Sequence, residues 1–363
     1  MAKMNAFPSP IVIILLAGFT IQLANATVPA IFIFGDSTAD VGTNSYLPGS
    51  WARADFPHNG IDFPYSRPTG RFSNGLNSAD FLAKLMGFKR SPSPFLFLIT
   101  LPSGLQKLKF RGVNFASGGS GLLDITGQSK QQKVVPMSEQ IQQFVTVRNN
   151  ITASMGPKAT EEFLGKSFFG ISIGSNDIFS YFWANSTMPK EQFIAILMSS
   201  YEAYIKVLYG LGARKFGIIS VPPVGCCPSQ RTLDPAGGCL EGMNDFARAF
   251  YSALDTLLCN LTSELPKMKY SLGNTYEMTM NVIKHPHRFG FKDVETACCG
   301  GGNLNAQLPC NATANLCMKR NEYLFWDMFH PTHTASQLAA VTLYDGPPRF
   351  VSPINFHQLV EDN

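Results

Sequence analysis

Ser37, Asp327 and His330 are residue types that could together do nucleophilic chemistry. A serine hydroxyl is a poor nucleophile at neutral pH. It needs a histidine to take its proton and a carboxylate to fix that histidine's tautomer and support its cation. Asp327 precedes His330 by three residues, so one helical turn or a tight loop would let the carboxylate hold the imidazole from the side. Ser37 follows the apolar run 31–34 and the turn pair Gly35-Asp36, which would place it just beyond the carboxyl end of a buried strand. That is where open α/β sheets keep their ligand crevice. The bland alternatives are a turn or N-cap serine and a capped loop histidine ahead of Pro331. Two further stretches could serve an anionic intermediate. One is the glycine cluster Ser117-Gly118-Gly119-Ser120-Gly121, whose backbone N–H groups can approach a ligand closely or simply form a turn. The other is Asn176 in Gly174-Ser175-Asn176-Asp177, whose amide could reach into a crevice. The cluster has no phosphate fingerprint, neither Gly-Lys-Ser/Thr nor G-x-G-x-x-G.

A competing serine lies in Gly170-Ile171-Ser172-Ile173-Gly174, which matches the G-x-S-x-G elbow. That motif needs a strand–turn–helix around the serine. Ser172 instead sits between two isoleucines inside a strand-like run and reads as a buried strand residue.

The elements that must position these groups alternate along the chain. Strands are expected over 31–34, 111–116, 167–174, 215–221 and 270–276, from short runs rich in β-branched and aromatic residues. Helices are expected over 77–85, 138–147, 191–211 and 244–261, from apolar residues recurring at three- and four-residue steps. Strands alternating with helices imply an α/β fold, a mainly parallel sheet covered on both faces. A long Pro-, Gly- and Arg-rich segment follows Ser37 and reads either as a lid or binding loop or as a packed surface loop.

With 363 residues, 45% of them hydrophobic, the chain can bury a large core, and no repeat or low-complexity linker divides it. A formal charge of +4 is too mild to imply nucleic acid. Residues 1–26 read as a secretory signal peptide: Lys3, an apolar run over 11–23, then the small-x-small pattern Ala24-Asn25-Ala26. Cleavage there removes Lys3 and takes the formal charge from +4 to +3. No later run is long and apolar enough for a membrane span, so the mature chain, 27–363, is expected to be one soluble, secreted, extracellular domain. Eight cysteines, Cys226, Cys227, Cys239, Cys259, Cys298, Cys299, Cys310 and Cys317, are an even count and read as disulfides, with 105 possible pairings. None forms a C-x-x-C pair, so no metal is expected, and serine chemistry requires no cofactor. Asn150, Asn185, Asn260 and Asn311 each begin an N-x-S/T glycosylation triplet.

Taken together, the chain resembles the plant branch of the GDSL esterase/lipase family, within the SGNH hydrolases. The likeness is carried by Phe34-Gly35-Asp36-Ser37-Thr38-Ala39-Asp40, Val113-Asn114-Phe115-Ala116-Ser117-Gly118-Gly119, Gly174-Ser175-Asn176-Asp177 and Asp327-Met328-Phe329-His330-Pro331, in the family's order. Pro68-Thr69-Gly70-Arg71-Phe72-Ser73-Asn74-Gly75 and Ala297-Cys298-Cys299-Gly300 are further family-like runs. The resemblance implies a flavodoxin-like three-layer α/β/α sandwich with a central, mainly parallel five-stranded sheet. It implies Ser37 as nucleophile, His330 as general base and Asp327 as its partner. It also implies an oxyanion hole from the Ser37 N–H, a glycine N–H (Gly119, or Gly118 beside it) and the Asn176 amide. The activity implied is hydrolysis of carboxylic esters, of lipids or acylated small molecules and sugars. Acyl transfer from the same acyl-enzyme, or a non-catalytic binding role for the fold, are the alternatives. The chain departs from the family pattern at Thr38, where a leucine is usual, at Thr43 of Gly42-Thr43-Asn44, and at His333, where a glutamate is common.

Overall fold

The computed structural model describes residues 27–105 and 111–362. The expected signal peptide lies outside them. The strands, in chain order, are β1 (Ile31–Gly35), β2 (Gly112–Asn114), β3 (Phe168–Ser172), β4 (Lys215–Ile219), β5 (Lys269–Gly273), β6 (Asp293–Ala297), β7 (Cys299–Gly300), β8 (Asn315–Leu316), β9 (Tyr323–Phe325) and β10 (Val351–Ser352). The helices are α1 (Ser78–Leu85), α2 (Phe95–Thr100), α3 (Met137–Met155), α4 (Pro157–Lys166), α5 (Ser175–Trp183), α6 (Lys190–Gly210), α7 (Pro228–Arg231), α8 (Glu241–Glu264), α9 (Thr275–Lys284), α10 (His333–Asp345) and α11 (Phe356–Glu361). No helix among the described residues is long and apolar enough to cross a membrane.

The main sheet runs β10-β5-β4-β3-β1-β2. The β1–β5 pairings are parallel, and β10 adds an antiparallel edge, Val351 opposite Gly273 and Ser352 opposite Leu272. The expected five-stranded sheet is therefore six-stranded. A two-residue strand has too little pattern to announce itself. The fifth strand also ends earlier than expected, because Asn274 caps α9 by accepting from the Glu277 N–H, and Tyr276 belongs to that helix.

The period-2 alternation of the strands divides two cores. Phe32 and Phe34 of β1, Phe169 and Ile171 of β3, and Phe216 and Ile218 of β4 face α3, α6 and α8. Their rings interlock, with Phe144 of α3 edge-on to Phe32, Phe34 and Phe169. Ile31, Ile33 and Phe168 face α1, α10 and α11 on the other side. Helices on both faces of a mainly parallel sheet make the expected three-layer sandwich. Its β1/β3 boundary is the point where strand order reverses, and ligand crevices open there.

Candidate active site

The turn after β1 is fixed from three sides. Gly35 has φ +146°, and a Cβ there would lie 2.1 Å from the Ser172 carbonyl oxygen, so only glycine permits this exit from the sheet. The buried Gln140 side chain of α3 clamps that residue: its Oε1 accepts the Gly35 N–H at 2.9 Å, and its Nε2 donates to the Gly35 carbonyl at 2.9 Å. Asp36, buried with its carboxyl pushed up by desolvation, accepts from the Thr38 N–H and hydroxyl through Oδ1. Ser37 projects from this turn into a cleft of about 480 Å³.

On the opposite wall, the segment after β9 carries Asp327 and His330 in a tight loop rather than a helix. His330 Nε2 is 2.8 Å from Ser37 Oγ, and its Nδ1 is 2.8 Å from both Asp327 oxygens. Asp327 Oδ1 also accepts the Phe329 and His330 N–H groups at 2.9 Å each. Burial alone would raise this carboxyl. The adjacent imidazole and these hydrogen bonds outweigh it and hold Asp327 below the ordinary carboxylate range. Phe72, from the long loop, lies with its ring centroid 4.8 Å from that of His330. The packed-loop reading holds for this segment. It is packed down through the buried Arg71–Asp80 ion pair, and it supplies Trp51, Phe56 and Phe72 to the cleft wall.

The third wall is the glycine cluster and the start of α5. Gly118 is committed: its N–H donates to Asp40 Oδ2 at 2.9 Å. Gly119, with φ +86°, lines the cleft beside Ser37. Asn176 sits in the first turn of α5 and also lines the cleft. One of its two amide hydrogens goes to the Ser120 carbonyl at 2.9 Å, which fixes the direction of the amide. The helix N-terminus adds its own partial positive charge there.

Several supporting residues were not legible beforehand. Asp40 also accepts the Gly42 and Thr43 N–H groups, and Asn44 donates to the Gly118 carbonyl. Asp177 accepts from Leu122 N–H, Leu123 N–H and the Thr126 hydroxyl. Burial pushes both carboxyls up to about 6. Asp40 and Asp177 are in the motif blocks, but their roles come from backbone partners that spacing does not reveal. Gln140 sits in a helix that the sequence predicts, yet nothing in its neighbourhood signals a contact with Gly35. Ser172 closes β3, and its Oγ lies 3.0 Å from Thr38 Oγ1. It is a strand residue, not an elbow.

The cysteines pair as Cys226–Cys239, Cys298–Cys317 and Cys299–Cys310. Cys227 and Cys259 are free thiols, against the expectation that all eight form disulfides. Cys227 is buried in the cleft wall, its thiol pushed up to about 12 by burial, while Cys259 is exposed on α8. Thiols in such different places cannot meet. Of the glycosylation candidates, Asn185 and Asn311 are exposed in turns, while Asn150 and Asn260 lie on α3 and α8.

Residues 31–342 match the family described as GDSL-like lipase/acylhydrolase. The chain belongs to this family of ester hydrolases. Among GDSL relatives, the Arabidopsis thaliana GDSL esterase/lipase At5g55050 is 38% identical over 347 residues, covering 92% of this chain and 90% of the relative. GDSL esterase/lipase At1g71250 of the same plant is 36% identical over 346 residues, covering 92% and 89%. GDSL esterase/lipase 6, also from Arabidopsis thaliana, is 35% identical over 355 residues, covering 96% and 94%.

Proposed function

We propose that the chain is a secreted serine esterase that works through an acyl-enzyme on Ser37. The observation that carries the reading is the unbroken line from Asp327 through His330 to Ser37 Oγ, with each link at 2.8 Å. In the first half-reaction Ser37 Oγ attacks the ester carbonyl carbon as its proton passes to His330 Nε2. Asp327, kept ionised, faces the imidazolium that forms. The Ser37 and Gly119 N–H groups and the free amide hydrogen of Asn176 receive the oxyanion. The carbon–oxygen bond to the alcohol breaks, and His330 returns its proton to the departing alkoxide. Water then repeats the sequence on the acyl-serine, His330 taking its proton, and the carboxylic acid leaves with Ser37 restored.

Secretion is supported by three disulfides, which persist in oxidising compartments, and by the N-terminal pattern over 1–26, leaving 27–363 as the mature domain. Asn150, Asn185, Asn260 and Asn311 are then glycan acceptors, the exposed turn sites Asn185 and Asn311 foremost. Ser37→Ala is expected to lower kcat on short p-nitrophenyl esters by about 10⁴-fold or more. A fluorophosphonate probe should label Ser37. Retained activity in that variant, or a probe adduct on Ser172, would sink the assignment.

A further inference from the structure

A second space lies behind the catalytic cleft. It is a cavity of about 190 Å³ between the sheet and helices α1, α9 and α10. Ile33 and Gly170 line it from the sheet, Ala79 and Leu82 from α1, Met278 from α9 and Ala339 from α10. Its sheet wall is shaped by two glycines that pair across strands, Gly170 and Gly217. The Phe168 ring covers Gly217, where a Cβ would fall 2.1 Å from its Cζ, while Gly170 remains part of the cavity wall. Among the described residues that line the space there is no Asp, Glu, Lys, Arg or His. The lining is mostly apolar, so the space favours an apolar guest over water.

The cavity and the catalytic cleft share walls. Thr38, Ser175, Pro222, Cys227 and Phe329 line both. Thr38 follows the serine directly, and its hydroxyl is satisfied by Asp36 and Ser172, so this partition presents no unpaired threonine hydroxyl to an apolar guest. Ser172, the strand serine of the G-x-S-x-G match, lines the cavity beside this wall.

We propose that this cavity receives the hydrocarbon tail of the substrate's acyl group, and that it fits a medium chain. This rests on the reading of Ser37 as the acylated nucleophile. The chemistry favours the acyl half of the ester over the alcohol half. The acyl group stays bonded to Ser37 until water arrives and needs a place to stay, whereas the alcohol must leave through the mouth of the cleft. A cavity of about 150 Å³ accommodates a benzene-sized guest, so 190 Å³ suits a tail of about six to eight carbons.

The test is kcat/KM for p-nitrophenyl esters from acetyl to dodecanoyl, on wild type, Ala79→Leu and Ala339→Leu, the two variants filling the cavity from different helices. Wild type should gain roughly two- to fourfold per methylene up to about C8 and then fall. In the filled variants the octanoyl-to-acetyl ratio should drop at least tenfold, which a simple loss of folded enzyme cannot produce because it scales both esters equally. Calorimetric titration of Ser37→Ala with octanoate and acetate reads the cavity without catalysis. Octanoate should bind at least tenfold more tightly, and adding Ala79→Leu should remove the difference. An unchanged chain-length optimum in both filled variants overturns the proposal. So does chain dependence seen only when the alcohol of an acetate ester is lengthened, or equal binding of octanoate and acetate. If Ser37 takes no fluorophosphonate while octanoate binding remains sensitive to Ala79→Leu, the nucleophile assignment falls and the lipid-tail site stands.

Discussion

At the residue scale the site separates groups that move protons from groups that only aim. In the proposed mechanism the proton passes between Ser37 and His330 while Asp327 stays ionised, and the three side chains already stand 2.8 Å apart at each contact. Asn176 differs. Under the proposed mechanism its amide does no proton chemistry and serves the oxyanion, and its bond to the Ser120 carbonyl fixes the direction of that amide. Removing one such donor from an oxyanion site costs about 10² to 10³ in kcat, because the interaction exists mainly in the transition state. Asn176→Ala is therefore expected to lower kcat by roughly that factor with KM nearly unchanged. Steady-state kinetics on a short p-nitrophenyl ester checks it, and a rise in KM at constant kcat would assign the residue to ground-state binding instead.

At the scale of elements the turn that carries Ser37 is held by a helix that never reaches the cleft surface. Gln140 on α3 completes two hydrogen bonds with Gly35 and further ones with Ser120 and Val135. Gln140→Ala leaves a buried N–H without its partner, at a cost of about 1–3 kcal/mol for that group alone. Urea unfolding should show a loss of that order or larger, and kcat should fall along with it. An equal fall of kcat in Gln140→Met, which keeps the bulk but none of these bonds, would show that aiming and not bulk matters. A second link joins α10 to the long loop: His333 Nδ1 accepts the Leu76 N–H at 2.9 Å, and the His333 backbone N–H donates to Asn74 Oδ1. Burial lowers the pKa of this imidazole. The unfolded chain then binds its proton first as pH falls, so the stability this residue contributes is complete above about pH 6.5 and drains away below it. His333→Gln, which keeps an acceptor without a titrating ring, should lose less melting temperature than wild type between pH 7 and pH 5. Equal losses would place the acid sensitivity elsewhere. These elements also mark what could be read in advance. β1 announced itself because a β-branched and aromatic run stops at a glycine, and α6 because its apolar steps are regular. α5 stayed hidden because Ser175 begins the helix almost directly after β3, with no separate loop to signal it. The Gln140–Gly35 clamp spans 105 positions, and no local pattern encodes a contact of that kind.

On the scale of the whole molecule, the loop that carries His330 packs on a disulfide-stapled segment. Cys298 donates its N–H to the Phe325 carbonyl and Cys299 to that of Trp326, just before Asp327. Trp326, fully buried, donates its N–H to the His330 carbonyl and its Nε1–H to Asn59. Cys298–Cys317 and Cys299–Cys310 close loops with sequence separations of 19 and 11 around this support, and Cys310 lines the cleft itself. Parity alone puts all eight cysteines in bridges, but an even count does not require full pairing. Burial decides, and it leaves Cys227 in the cleft wall and Cys259 on a helix surface. Thiol titration of the denatured, unreduced chain should therefore count two thiols, not none. Loops of this length stabilise a fold by about 3 kcal/mol each, mainly by restricting the unfolded chain. Cys298→Ser/Cys317→Ser should lose about that much in urea unfolding and lose kcat as well, since the loop beneath Trp326 is released. Cys259→Ser, at an exposed thiol, should stay within about 0.5 kcal/mol of wild type. Full esterase activity after reduction, with thiol titration confirming that all three bridges are open, would show that His330 is held without them.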